Sequence, residues 1–407
     1  MFKKVIITGI VSVSMLISPF ALPVFVSAET YDAVAVAKAI EKADINQLKA
    51  KGAILMDATS GSVLLESKSH DKLPIASITK VMSMLLIMEA IDSGKIKFED
   101  TVPITPNATA FGGSQLWLDV RESNKFTVTE MLKGIAIHSA NDGTVAMAEM
   151  IAGSEIAFVK MMNEKASVLG LNDTNFLDCT GLTDDGHYSS ANDIAVLSRE
   201  LIQKHPKILE FTSIRRDKFG EGKRAKPTDL DNTNQLIGKY EGMLGLKTGS
   251  TNKAGQNLSA VAKRNNMALI AVVLGEADSS TRFAEIQRLL DYGFANFETS
   301  QVNKKGDEAG SVEVKKGMQT SVKAIFSSDV DLLMKKGEKG KIVREPRFDT
   351  NITAPVEEGK KVGQMVYLLD GKEIGKTDIV SESKVEKASS FRLFFRMLLQ
   401  WFGLGRK

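Results

Sequence analysis

The chain has 407 residues, of which 43% are hydrophobic and 25% are charged, and its formal net charge is +3. This composition excludes a disordered chain, and the length exceeds that of one ordinary core, so we expect two or three domains. The small charge indicates no nucleic-acid partner, and the single cysteine, Cys179, excludes a framework of disulfides.

The first 28 residues are typical of an export signal. Lys3 and Lys4 precede an apolar run, which ends in small residues at positions 26–28. We therefore expect cleavage after residue 28 and a mature protein outside the cytoplasm. An uncleaved membrane anchor is the alternative, but Pro19 and Pro23 would interrupt its helix.

Residues 29–300 mix helical and strand patterns. A helix is predicted at residues 31–47, and an apolar hairpin follows with its turn at Thr59-Ser60-Gly61. The segment "SITKVMSMLLIMEAIDSGKI" is helical and almost wholly apolar in its middle, as expected of a helix in the core. Ser77 would therefore lie in the first turn of a buried central helix.

Two further helices are predicted in "FTVTEMLKGIAIHSANDGTVAMAEMIAG", with a break near Ser139. Thr127 and Glu130 fit a capping box at the start of the first helix. Asn141 or Asp142 is expected to cap the second helix, because both residue types are favoured at that position.

The remaining pattern predicts two domains of different class. Two neighbouring strands are predicted, one around Thr248-Gly249-Ser250 and one at Ala268–Leu274, and a closing helix follows at residues 282–297. Together with the earlier helices they predict an α+β domain with one sheet. Residues 301–385 show short alternating apolar segments and a favourable hairpin turn at Asp370-Gly371, which predicts a small all-β domain.

Residues 386–407 are predicted to form an amphipathic membrane-anchoring helix. The apolar run is too short and too charged to cross a bilayer, which needs about 20 apolar residues. An interfacial helix fits better, with aromatic side chains at the acyl boundary and arginines near anionic headgroups. A helix packed on another domain or on a dimer partner is the alternative. One face carries Phe391, Phe394, Phe395, Leu398, Leu399 and Phe402, and the other carries Arg392, Arg396 and Gln400.

Ser77 and Lys80 are three positions apart, so on a helix they share a face with Cβ atoms roughly 5–6 Å apart. A serine hydroxyl needs a base that accepts its proton, and a protonated lysine cannot do so. Burial and a second nearby cation both lower the pKa of a lysine and so populate the neutral amine. We therefore expect Lys80 to be buried and to have a second cation nearby.

Two other short motifs complete a candidate site. In "LKTGS", Lys247 and Gly249 alternate on one face of a strand, where the missing side chain of Gly249 would let a substrate backbone approach. Ser139-Ala140-Asn141 places a hydroxyl and an amide at a helix break. Ser-x-x-Lys, Ser-x-Asn and Lys-Thr-Gly, in this order, form a known penicillin-recognising set.

On these motifs the sequence resembles the D-alanyl-D-alanine carboxypeptidases, low-molecular-mass penicillin-binding proteins of class C. The segments "LPIASITKVMSMLLIMEA", "GGSQLWLDVRE", "GLTDDGHYSSANDIAVLS" and "GLKTGST" are similar to the family in sequence and order. The similarity extends over essentially the whole mature chain. It implies a catalytic domain of the serine transpeptidase/β-lactamase-like fold, an antiparallel sheet packed with helices, before the β domain and the terminal helix.

The resemblance also implies serine acyl transfer on a peptidoglycan stem peptide that ends in D-Ala-D-Ala. Ser77 would attack the carbonyl between the two D-alanines, with Lys80 as its base. Ser139 would relay a proton to the leaving amine, and Asn141 would hold the substrate backbone and Lys80. β-lactams would inhibit the enzyme covalently, and neither a metal nor an organic cofactor is expected.

The same resemblance assigns the residues that bind substrate. Lys247 and Thr248 would bind the terminal carboxylate, with Gly249 beside them. The N–H groups of Ser77 and Ser250 would form the oxyanion hole, which contributes about 10²–10³ in rate per donor. Some relatives have histidine where this chain has Ser250, so only the N–H of this residue is expected to act. The enzyme is expected at the outer face of the cytoplasmic membrane.

Three other functions remain open from the sequence. A Ser-His-Asp hydrolase needs a positioned histidine, but the chain has no Gly-x-Ser-x-Gly elbow, and we expect His138 to pack or face solvent and His187 to support a nearby loop. Cys179 is expected to be a small buried residue. A class A β-lactamase would need a Glu-x-x-Leu-Asn segment, which is absent from the sequence. A catalytically quiet β-lactam-sensing or cell-wall-binding protein would have no need of Lys80.

Overall fold

The structure is a computed structural model that describes residues 48–183 and 185–402. The predicted export signal and the predicted helix at residues 31–47 lie outside the described residues. The helices, in chain order, are α1 (Lys80–Asp92), α2 (Pro106–Ala110), α3 (Val128–His138), α4 (Asn141–Ala152), α5 (Glu155–Val168), α6 (Ala191–Lys204), α7 (Ile208–Thr212), α8 (Ser279–Asn296) and α9 (Ser390–Trp401). The strands are β1 (Gly52–Asp57), β2 (Val63–Ser67), β3 (Arg216–Phe219), β4 (Thr228–Asp231), β5 (Met243–Thr251), β6 (Gly255–Arg264), β7 (Met267–Glu276), β8 (Phe297–Asn303), β9 (Glu308–Glu313), β10 (Ser321–Phe326), β11 (Val330–Lys335), β12 (Val343–Phe348), β13 (Lys361–Leu369) and β14 (Lys372–Ser381).

Five antiparallel strands form the sheet that carries the candidate site. Their order is β2-β1-β7-β6-β5, so the predicted hairpin of β1 and β2 extends the sheet at the side of β7. Where the sequence predicted two strands the structure has three, because β6 lies between β5 and β7. Asn257 and Ser259 of β6 are fully buried, and these polar residues interrupt the apolar pattern that would have indicated a strand.

Helices cover both faces of this sheet. Alternate residues of a strand point to opposite faces, so Leu55 packs with α8 whereas Ile54 packs with the group of helices that includes α1. Helix α1 is central, since ten of its 13 residues are buried. The turn that precedes α1 lies against β5. The predicted α+β arrangement, an antiparallel sheet packed with helices, is confirmed.

The ends of α3 and α4 test two predictions from local sequence. Glu130 N–H donates to Thr127 Oγ1 at 3.3 Å, and Thr127 N–H donates to Glu130 Oε2 at 2.7 Å. These reciprocal bonds confirm the capping box. The prediction that Asn141 or Asp142 caps the second helix is wrong, because the capping position of α4 is Ala140 and no side chain caps it. Both polar side chains bind other groups instead.

Between α8 and α9 the chain is all-β, apart from a 3-10 turn at Lys339–Lys341. Five antiparallel strands have the order β12-β13-β14-β10-β9, and β8 pairs with β11. Asp370 and Gly371, with φ of +48° and +77°, form the predicted two-residue turn between β13 and β14. The predicted domain boundary between residues 300 and 301 falls within β8.

Helix α9 exposes its apolar face and uses its arginines for internal contacts. Phe391 is 73% exposed and Trp401 is 83% exposed. Arg396 donates to the main-chain oxygens of Gly317 and Met318 at 3.2 and 3.3 Å. This arginine therefore joins the helix to the β domain through two hydrogen bonds that the sequence did not predict. Across residues 48–183 and 185–402, no helix combines the length and the apolar character that crossing a membrane requires.

Candidate active site

Ser77 lies in a 3-10 turn at Ala76–Thr79, directly before α1. Ala76 has a φ of +48°, which is rare for a residue with a side chain and marks a strained backbone beside Ser77. Thr79 Oγ1 donates to the Ala76 carbonyl at 2.7 Å. Gly181 approaches the same carbonyl so closely that an added Cβ would lie 1.9 Å from it. These contacts hold the turn in one conformation.

His187 also supports this turn, as expected from the sequence. Its Nδ1 accepts a hydrogen bond from Leu177 N–H at 3.2 Å, so the ring hydrogen is assigned to Nε2, which lies 2.7 Å from Thr79 Oγ1. The ring therefore contacts Thr79, and the side-chain partner of Ser77 is Lys80. A Ser-His-Asp arrangement at Ser77 has no support in the part of the chain that the structure describes.

Lys80 is fully buried at the first position of α1, and three oxygens surround its amine. Nζ lies 3.0 Å from Ser77 Oγ, 2.6 Å from Asn141 Oδ1 and 2.7 Å from the Thr180 carbonyl oxygen. These three oxygens fix the direction of the amine toward the serine hydroxyl. The predicted contact between Ser77 and Lys80 is therefore present.

Burial lowers the pKa of Lys80 from its ordinary 10.5 to about 7, although the carboxylates of Asp178 and Asp142 oppose the shift. At pH 7 roughly half of the molecules would then have a neutral amine that can accept a proton. Burial also raises the pKa of the Cys179 thiol well above its ordinary value, with a further contribution from Glu155. Cys179 is thus a buried neutral thiol near neutral pH, as expected.

Ser139 and Asn141 lie at the junction of α3 and α4. Ser139 ends α3 with a φ of +65°, in the left-handed region, and is 5% exposed. Asn141 accepts from Lys80 through Oδ1 and donates through Nδ2 to the Gly112 carbonyl at 2.6 Å. Its N–H donates to the Ser114 carbonyl at 2.7 Å. The junction thus joins the Lys80 amine to the loop around residues 112–114.

Lys247 and Thr248 lie on β5, and both are buried. Lys247 Nζ donates to the Thr248 carbonyl at 3.0 Å, and Thr248 Oγ1 donates to Thr233 Oγ1 at 2.7 Å. The pKa of Lys247 is well below its ordinary value because of burial, then the charge of Lys80, then that of Arg282. Lys80 thus contributes to the lowered pKa of Lys247, whereas the pKa of Lys80 itself is lowered by burial, and the expected contribution of a second cation to it is not found.

Gly249 packs against the turn of Ser77, a contact that the sequence did not predict. A Cβ on Gly249 would lie 2.5 Å from the Ile75 carbonyl oxygen and 3.0 Å from the Ser77 nitrogen. The missing side chain thus lets β5 pack against the turn of Ser77, and the expected approach of a substrate backbone at Gly249 stays a prediction. Ser250, the next residue, is exposed.

Two acceptors in the site were not predicted from the sequence. Thr180 and Gly112 act through their carbonyl oxygens, toward Lys80 and Asn141 respectively. Every residue has a carbonyl group, so no sequence pattern distinguishes these positions. Thr233 contributes a side-chain hydroxyl to Thr248, but only the fold reveals that these two residues meet.

Ser77 beside a buried amine of lowered pKa, with Lys247 and Thr248 on the adjoining strand, defines a serine acyl-transfer site of the penicillin-recognising class. Residues 37–278 match the family described as D-alanyl-D-alanine carboxypeptidase, and residues 297–387 match the C-terminal domain of penicillin-binding protein 5. The chain therefore belongs to the D-alanyl-D-alanine carboxypeptidase family and is a serine-type hydrolase.

Relatives match over most of the chain. It is 42% identical over 354 residues to D-alanyl-D-alanine carboxypeptidase DacF of Bacillus subtilis, which is 87% of this chain and 90% of that relative. Penicillin-binding protein 5 from Haemophilus influenzae is 33% identical, with a TM-score of 0.73 over 84% of this chain and 98% of that chain. Penicillin-binding protein D2 from Listeria monocytogenes, in an ampicillin-bound form, is 29% identical, with a TM-score of 0.54 over 61% of this chain and 98% of that chain.

Proposed function

We propose that this protein removes the terminal D-alanine from peptidoglycan stem pentapeptides, with Ser77 as the nucleophile and Lys80 as the base. One observation carries the assignment of these roles: the buried amine of Lys80, whose pKa is about 7, lies 3.0 Å from Ser77 Oγ. A neutral amine at hydrogen-bond distance can take the hydroxyl proton as the oxygen attacks.

The reaction proceeds through an ester on Ser77. The Ser77 oxygen attacks the carbonyl carbon between the two D-alanines while its proton passes to Lys80. The C–N bond then breaks, and Ser139 relays this proton from Lys80 to the amine of the departing D-alanine, so Lys80 is neutral again. Water attacks the ester carbonyl, Lys80 accepts a proton from this water, and the shortened peptide leaves as Ser77 regains its hydrogen.

Lys247 and Thr248 bind the terminal carboxylate of the substrate in this proposal. Lys247 is buried and its pKa is low in the free protein, but a carboxylate beside it favours the ammonium and raises that pKa. Substrate binding is therefore coupled to protonation of Lys247. The contact between Gly249 and the turn of Ser77 supports an oxyanion hole formed by the N–H groups of Ser77 and Ser250.

β-lactams acylate Ser77 in the same way, because their strained amide carbonyl takes the place of the substrate carbonyl. The ampicillin-bound form of the Listeria monocytogenes relative supports this part of the proposal.

Export and membrane attachment complete the proposed function. Residues 1–28 are removed, residues 29–300 form the catalytic domain and residues 301–385 form the β domain. Residues 386–407 attach the enzyme to the outer face of the cytoplasmic membrane through the apolar face of α9. The exposure of Phe391 and Trp401, at 73% and 83%, supports attachment because large apolar side chains cost free energy in water.

The first experiment is release of D-alanine from a stem pentapeptide by the wild type and by Ser77→Ala. We expect release only by the wild type. Labelled penicillin should form an adduct on Ser77, located by mass spectrometry, and an adduct on Ser139 would overturn the assigned roles. Absence of D-alanine release by the wild type would favour a catalytically quiet binding protein.

The second experiment tests the anchor with a chain that lacks residues 386–407. This chain should keep its activity in solution and no longer sediment with membranes. If the shortened protein still sediments with membranes, the helix is not the anchor.

A further inference from the structure

Trp117 is a large apolar side chain that the fold presents to solvent. It is 69% exposed, whereas its neighbours Leu116 and Leu118 are 0% and 7% exposed. Its φ of +57° lies in the left-handed region, which is uncommon for a bulky residue. Strained residues of this kind persist where the surroundings fix them, and they occur often at ligand-binding positions.

The backbone on both sides of Trp117 is held by charged groups. The Asp142 carboxylate accepts from the N–H groups of Leu116 and Leu118 at 3.0 and 3.1 Å. Arg224 donates to the carbonyl oxygens of Leu116 and Trp117 at 2.7 and 2.9 Å. The indole is therefore presented on a rigid backbone, and a ligand would lose little free energy in ordering it.

Trp117 lines an open cavity of about 830 Å³, within the usual range for small-ligand sites. Five of the seven charged side chains of its wall form ion pairs with each other, Arg121 with Asp119, and both Arg224 and Lys125 with Glu122. With four cationic and three anionic side chains the wall creates no strong field of one sign, so it favours a neutral ligand with hydroxyl or amide groups. The aromatic face offers the apolar contact.

The backbone that presents Trp117 is connected to the Ser77 site through helix α4. Asp142, which holds the Trp117 segment, directly follows Asn141, and Asn141 Oδ1 accepts from the Lys80 amine at 2.6 Å. The first turn of α4 thus holds both the backbone around Trp117 and the Lys80 amine. A stem of five residues spans at most about 17 Å. The sugar at the far end of a bound stem peptide therefore lies within about this distance of Ser77.

We propose that this cavity is a subsite for a neutral pyranose ring of the glycan strand that carries the stem peptide, with the ring stacked on the Trp117 indole. The face of an indole is electrostatically negative, and the C–H groups on one face of a pyranose are weakly positive. In this proposal the polar side chains that line the cavity bind the hydroxyl and acetamido groups at the edge of the sugar. This inference rests on the proposed function, because it assigns the sugar part of the same substrate.

The kinetic test compares a disaccharide-linked pentapeptide with the free pentapeptide. Trp117→Ala should raise KM for the sugar-linked substrate about tenfold, as expected for loss of a central aromatic contact. It should leave kcat and the KM of the free peptide unchanged, and Trp117→Phe should keep most of the affinity. No change in either KM, or an equal change in both, would overturn the proposal.

A binding test is independent of catalysis. The chain has two tryptophans, so Trp401→Phe leaves Trp117 as the only indole emitter in the full chain. N,N′-diacetylchitobiose, a neutral disaccharide, should shift this emission in a saturable manner, because it would stack on the one remaining indole. No saturable shift at millimolar sugar would overturn the subsite. Because this assay needs no turnover, failure of the carboxypeptidase assay alone would count against the proposed function and leave the subsite standing.

Discussion

The rate at which penicillin acylates Ser77 should follow the titration of Lys80. Burial lowers the pKa of this lysine from 10.5 to about 7. The neutral fraction is then about 1% at pH 5, about 50% at pH 7 and about 90% at pH 8. Acylation should therefore rise about ninety-fold between pH 5 and pH 8 and then level off. Quenched-flow labelling with a fluorescent penicillin measures this rate directly.

A lysine with an ordinary pKa would give a different profile. Its neutral fraction is only about 0.03% at pH 7, so the rate would continue to rise about tenfold per pH unit to about pH 10. That outcome would refute the assignment of Lys80 as a base that is neutral near pH 7. Lys80→Arg is the matched control, because a guanidinium keeps its proton throughout this range. Acylation by this variant with the same profile would equally contradict the mechanism.

Three further predictions concern the packing of the site, its pH dependence and the anchor. Gly249→Ala should slow acylation at least tenfold, because its Cβ would lie 2.5 Å from the Ile75 carbonyl oxygen and would displace the turn of Ser77. The control is Gly94→Ala, which has open space around its Cβ and should only lower stability. Equal acylation by both variants would argue against this role of Gly249. Denaturant titrations would measure the difference in unfolding free energy between the wild type and Lys80→Met. This difference should increase by about 3 kcal/mol between pH 7 and pH 10, because the pKa of Lys80 is lowered in the folded state and this lysine therefore binds more protons in the unfolded state. A constant difference would mean that the pKa of Lys80 is not lowered. Phe394→Glu should reduce co-sedimentation with anionic liposomes more than tenfold, since it places a charge on the exposed apolar face of α9, while Ile156→Glu on α5 should not. Equal liposome binding by the two variants would show that the apolar face of α9 is not the membrane-binding surface.

Local signals in the sequence predicted several features correctly. The capping box of Thr127 and Glu130 is formed as expected because its two hydrogen bonds involve residues only three positions apart. The turn at Asp370-Gly371 follows from the preference of these residue types for positive φ. The buried helix α1 follows from its apolar composition, and the meeting of Ser77 with Lys80 follows from their spacing.

Features that depend on distant residues were not predictable in this way. Strand β6 was missed because its buried polar residues, including Asn257, form hydrogen bonds with other segments, such as the one from Gly275 N–H at 2.7 Å. The Thr180 carbonyl oxygen has no sequence signature, although it lies 2.7 Å from the Lys80 amine. The contact of Gly249 with the turn of Ser77 was not predicted, because it exists only after β5 has packed.

The Lys80 amine is bonded to groups 61 and 100 positions further along the chain, as well as to its near neighbour Ser77. A partly folded molecule that lacks either distant segment cannot orient the base, so it would not react with the antibiotic. Fluorescent penicillin would then count only completely folded copies in a crude extract. The same chemistry offers a quality check on refolding or secretion that requires neither purification nor a natural substrate.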